Sequence, residues 1–126
     1  MSKFLLFLEE KEDEEKSEKY KKWKKLINMS ASEIQNFLDS EEGKEAGLNK
    51  KQAEGPIKRG RDSGRAIIRM LNTPKDEWTS NDWAWAGRQI SFISRMKGAK
   101  GPLRDEKGER TRKTTSLMIW GHNPEK

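Results

Sequence analysis

The sequence predicts an all-α fold: a small single-domain helical bundle with a charged N-terminal helix or tail and a basic C-terminal loop or short hairpin. Three observations carry that expectation. Ser30-Ala31-Ser32-Glu33 and Thr79-Ser80-Asn81-Asp82 read as capping boxes, in which a hydroxyl and a carboxylate each satisfy an orphan backbone N–H at a helix start. Apolar residues behind both boxes recur at three- and four-residue spacing. The length of 126 residues fits one domain with a modest core, and 38% charged against 31% hydrophobic residues marks part of the chain as tail.

The elements follow in chain order. From Glu9 to Lys25, mixed Lys and Glu supply i,i+4 pairs, and an apolar face begins only at Tyr20, Trp23, Leu26 and Ile27. Residues 1–19 are therefore read as a charged extension, and residues 20–124 as the helical domain. The Ser30 helix carries Ile34, Phe37 and Leu38 on one face, with Met29 and Ile34 placed as a hydrophobic staple, and is expected to end near Gly43. Glu42 to Gly60 reads as a long loop. A helix is expected from about Asp62 to Asn72, stopped by Thr73-Pro74. The Thr79 helix runs to about Lys97 and stops at Gly98, with Trp78 and Trp83 as its staple. Residues 97–113 lack apolar periodicity and read as a basic mobile loop or a hairpin turning at Lys107-Gly108. A last apolar turn, Ser116 to Trp120, is capped by Gly121.

Charge is unevenly spread. Net charge is +1 over residues 1–28, −3 over 29–54 and +8 over 55–126, and every arginine lies at or after Arg59. Segregation of this kind suits a polyanionic partner. At about 100° per residue, Arg61, Arg65 and Arg69 share one stripe of their helix. Arg88 and Arg95 share the polar half of the next, among Gly87, Ser91 and Ser94. Arginine suits bidentate phosphate contacts, and small neighbours let a backbone approach. Lys58 and Arg59 lead into this set, and Lys97, Lys100, Arg104, Arg110, Arg112 and Lys113 extend it. The competing reading is that these cations pair with the acidic first helices. Core packing is expected for most of the five tryptophans, with Trp85 held open as a stacking platform.

Other function classes find little support. Cysteine is absent, so disulfides, thiolate metal sites and cysteine nucleophiles are excluded. The single histidine, His122, lacks an identifiable nucleophile or metal-ligand set and reads as a hydrogen-bonded closure of the last turn. Gly55, Gly60 and Gly64 do not have phosphate-loop spacing. No enzyme activity, cofactor or metal is expected. No apolar run approaches the ~20 residues that span a bilayer, so a cytoplasmic or intravirion setting without membrane contact is expected.

The placed motifs resemble a small bacterial and phage family of helical domains of unknown function. The resemblance rests on Asn28-Met29-Ser30, Phe37-Leu38, Ser63-Gly64-Arg65-Ala66-Ile67, Asn81-Asp82-Trp83 and the closing Ser116-to-Pro124 run, which fits Ser-Leu-Met-x-Trp-Gly-His-Asp/Asn-Pro. It implies a compact helical domain and, through the DNA-binding label that bacterial members often carry, a nucleic-acid role. Phe4 to Glu10 is similar to short head-targeting segments of tailed-phage internal proteins, with Leu8-Glu9-Glu10 at the position where such segments are cut. The leading expectation is a non-enzymatic protein that binds nucleic acid, DNA before RNA, mainly through phosphates. The alternative is a protein-interaction module for an acidic protein surface, such as a phage factor acting on a host protein or an internal head component.

Overall fold

A computed structural model describes residues 3–46 and 56–126, with side chains over 12–44 and 60–126. Within these residues the chain is all-α, with six α-helices: α1 Lys3–Leu26, α2 Ala31–Asp39, α3 Glu41–Ala46, α4 Pro56–Leu71, α5 Ser80–Gly98 and α6 Arg112–Ile119. A 3-10 turn, Lys75–Glu77, joins α4 to α5. Helix α1 lies along α5, α2 along α4, and α6 packs against α2, α3, α4 and α5.

Both expected capping boxes form. Ser30 Oγ accepts from the Glu33 N–H while the Glu33 carboxylate accepts from the Ser30 N–H, each at 3.1 Å. Thr79 and Asp82 exchange the same pair of bonds at 3.0 and 3.2 Å. Met29 and Ile34 are both buried beside the first box. At the second, the Trp78 and Trp83 rings meet edge-on, 4.9 Å between centroids.

Several boundaries differ from those read in the sequence. The α2 helix does not continue to Gly43. Ser40 Oγ donates to the Phe37 carbonyl and accepts from the Gly43 N–H, so one serine ends α2 and starts α3. A Cβ on Gly43 would stand 1.9 Å from the Phe37 oxygen, so the bend needs glycine. Residues expected to form one long loop are helical at both ends, in α3 and in the first turn of α4. The latter opens on Pro56, whose missing N–H costs nothing at a first helical position. Helix α6 starts four residues before the expected apolar turn. Thr111 precedes it without a side-chain capping bond, its hydroxyl going instead to the Pro102 and Leu103 carbonyls. The basic segment is hairpin-like: Arg104 and Arg110 form an isolated antiparallel bridge, and the Gly108 N–H donates to the Asp105 carbonyl. Backbone α1 runs unbroken through residue 19, so the charged extension and the domain share one helix.

The core joins Trp23 of α1 and Ile27 just after it, Ile34, Phe37 and Leu38 of α2, Ala66, Ile67 and Met70 of α4, Ile93 of α5 and Leu117 of α6. A second layer of aromatic contacts runs from Tyr20 through Trp23 to Trp78. Polar groups inside this core are paired, as their desolvation requires. Trp23 Nε1 donates to Gln89 Oε1 at 2.6 Å, and Gln89 Nε2 donates to Ser63 Oγ at 3.1 Å. The chain closes on a Schellman motif, in which the Gly121 and His122 N–H groups reach the Met118 and Leu117 carbonyls. His122 Nδ1–H then donates to the Leu26 carbonyl at 2.6 Å, clasping the end of α6 to the end of α1.

Candidate nucleic-acid interface

The expected cations fall into two groups. Most have partners inside the protein. Arg61 donates to the Leu38 and Gly43 carbonyls and so fastens the α2–α3 bend to α4. Arg65 pairs with Asp62 one turn back on its own helix, at 3.3 Å on the exposed surface. Arg69 pairs with Asp82, whose side chain is only 7% exposed, and thereby ties α4 to the cap of α5. Burial pushes the Asp82 carboxyl up, but the Thr79 N–H and the Arg69 guanidinium outweigh it and hold the group below its ordinary value. Arg104 forms a fork with both Glu125 oxygens at 2.8 and 3.0 Å, which raises its own pKa and lowers that of Glu125. Arg110 reaches Glu42 at 3.0 Å. Lys113 donates to the Ala99 carbonyl at 2.6 Å and so closes the basic segment onto α5. Arg112 is exposed beside them. The Lys58 and Arg59 side chains lie outside the described residues, as do those of the Phe4–Glu10 segment.

The α4 stripe and the α5 stripe therefore do not merge into one face of free cations. The internal-pairing alternative applies to α4, through Asp62, Asp82 and backbone carbonyls of α2 and α3, and the acidic α3 also supplies Glu42 to Arg110.

The α5 arginines are different. Arg88 lies over the Trp85 ring, 5.1 Å from its centroid, and Arg95 over Phe92 at 5.9 Å. Among the described residues neither has an ion-pair partner. Both are exposed, seven residues and hence about 10 Å apart along one side of the helix. They border an open groove of about 840 Å³ lined by Ala84, Trp85, Gly87, Ser91 and Phe92 of α5, with Asp62 of α4 and Trp120 behind α6. Phe92 and Trp120 stack at 4.2 Å with 16° between their planes, forming an aromatic wall. Ala84 and Ser91 are small and exposed there, while the end of the Lys19 side chain lies against Gly87. Asp62, the one carboxylate in the lining, is engaged by Arg65. Lys97, in the last turn of α5, and Lys100, just beyond it, are exposed but do not line the groove.

Trp85 is thus where the sequence placed it, half-exposed beside Arg88. Trp120 is buried in the core, as expected for most of the tryptophans, and partly buried Phe92 packs against it at the edge of the groove. Asp62 was read only as a helix-start carboxylate. Among the described residues no group of three or more metal-ligating side chains occurs, and no helix is long and apolar enough to cross a membrane.

A small all-α domain whose open groove is bordered by arginines held on aromatic rings is the class these features define. The chain belongs to the family described as protein of unknown function (DUF3140), whose model matches residues 22–118. None of the curated proteins and none of the solved structures compared with the chain matches it. The family span takes in the Asn28, Ser63 and Asn81 motifs and all of α5, while most of the charged half of α1 precedes it.

Proposed function

We propose that this protein is a non-enzymatic nucleic-acid-binding domain that contacts mainly phosphates, with the α5 groove as its binding surface. One observation carries the reading. Arg88 and Arg95 are held over aromatic rings, not against carboxylates, so their guanidinium N–H groups stay available while their side chains are already positioned. Preorganised, unpaired guanidiniums suit phosphate oxygens, to which they can donate bidentately. The DNA-binding label common in the bacterial and phage family that the motifs resemble points in the same direction. The Arg69–Asp82, Arg104–Glu125 and Arg110–Glu42 pairs are ties within the protein outside this groove.

Fluorescence anisotropy with labelled DNA and RNA across a salt series tests this. Binding should weaken steeply as salt rises, since each phosphate contact releases counterions. Micromolar or weaker affinity that is insensitive to salt contradicts it.

A further inference from the structure

We infer that the α5 groove takes a single strand, with a base stacked at Trp85, in preference to a duplex. The inference rests on the nucleic-acid reading above and adds the form of the ligand.

Two features of the surface favour one strand. The first is shape. A helix that reads a duplex projects into the major groove, which is about 12 Å wide. The exposed strip of α5 is instead recessed. Trp120 and Asp62 rise on one side of it. Along the other side, α1 and α5 form a second groove of about 550 Å³, lined by Glu14, Glu15, Glu18, Lys19 and Lys22 together with Gly87, Ile90 and Ser91. Gly87 and Ser91 belong to both grooves, so the two meet on α5, where the Lys19 side chain reaches Gly87. A recess accepts a thin strand with splayed bases better than a stiff cylinder.

The second feature is charge. The arginine-bordered groove is positive, whereas the neighbouring groove sets three carboxylates against two lysines, Lys19 and Lys22. A single strand has one backbone, which can follow Arg88 and Arg95 while its bases turn to the half-exposed Trp85. A duplex has two backbones, and seating one on the arginines brings the other over the second groove, where Glu14, Glu15 and Glu18 outnumber Lys19 and Lys22 by one charge. Like-charge contact of that kind selects against the wrong partner. Stacking is available to every base because each has a π-face, and arginine contributes cation–π contact to the same surface. The groove therefore suits single strands without strong sequence preference.

The test uses the full chain with a labelled oligothymidine and a labelled blunt duplex of equal length, in parallel salt series, with circular dichroism to confirm that each variant is folded. The single strand should bind at least tenfold more tightly than the duplex. Trp85→Ala should weaken single-strand binding by roughly 5- to 100-fold with little change for the duplex, and Trp85→Phe, which keeps a ring, should restore most of it. Equal affinity for strand and duplex, or Trp85→Ala acting equally on both, overturns the single-strand inference and leaves the phosphate reading standing. Salt-insensitive or absent binding of both ligands overturns both.

Discussion

Trp23 and Gln89, 66 residues apart, meet through a buried hydrogen bond of 2.6 Å, from the indole N–H of α1 to the amide oxygen of α5. Gln89 is adjacent to Arg88, so the residue that anchors α5 inward neighbours the one that arms it outward. Its amide also donates to Ser63 of α4, and these three fully buried side chains fix the floor of the groove. Gln89→Leu keeps the volume but leaves the Trp23 N–H and the Ser63 hydroxyl unpaired. It should cost about 1–3 kcal/mol, read as a lower urea midpoint.

Gly121 has φ of +81°, and a Cβ there would lie 3.1 Å from Ile67 Cδ1 and 3.2 Å from Ile27 Cδ1. Gly121→Ala therefore combines left-handed strain with crowding between α1 and α4. A loss of about 1–2 kcal/mol from the backbone alone is expected, with the thermal midpoint falling accordingly. Unchanged stability would show that the closing turn is not held as described.

Acid should weaken the fold through depressed carboxylates. Asp82 is held below its ordinary 3.8 despite burial, by the Thr79 N–H and Arg69. Glu33 is held below 4.5 by Lys126 and by the Ser30 N–H, and Glu125 below 4.5 by Arg104. A depressed carboxyl stabilises the fold above its unfolded pKa, and that contribution fades as pH falls through the folded value. Stability should therefore hold through neutral pH and decline below about pH 4. In Asp82→Asn the decline should be shallower, measured by denaturation at a series of pH values.

Asp62 is the carboxylate that a phosphate entering the groove would meet, partly offset by Arg65 at 3.3 Å. Removing its charge with Asp62→Asn should tighten nucleic-acid binding by up to about fivefold, the scale of one exposed charge pair. Arg65→Ala should weaken binding by a similar factor, because it leaves Asp62 uncompensated. A common direction for the two variants would contradict this assignment.

Much of the fold was legible because its signals are local. The Ser30 and Thr79 boxes, the Met29–Ile34 and Trp78–Trp83 contacts and the Gly121 cap each depend on residues a few positions apart. The starts of α4 and α6 were not legible. Pro56 is as compatible with a loop as with a first helical turn, and Thr111 spends its hydroxyl on Pro102 and Leu103. Of the expected site, the wheel positions of Arg61 and Arg69 were correct as geometry, but their partners lie 13 to 23 residues away and leave no periodic trace. Arg88, Arg95 and Trp85 remain as the core of the candidate site because their contacts stay within α5, where spacing alone could find them.

The central claim is that binding belongs to α5 and not to the basic residues at large. The most direct measurement compares the salt dependence of oligonucleotide affinity in the wild-type chain, in the Arg88→Ala/Arg95→Ala double variant and in Arg104→Ala, whose arginine is engaged by Glu125. Each lost phosphate contact should reduce the slope of log affinity against log salt by about one. The account predicts a slope shallower by about two for the double variant and unchanged for Arg104→Ala. Equal slopes for the double variant and the wild type would contradict it.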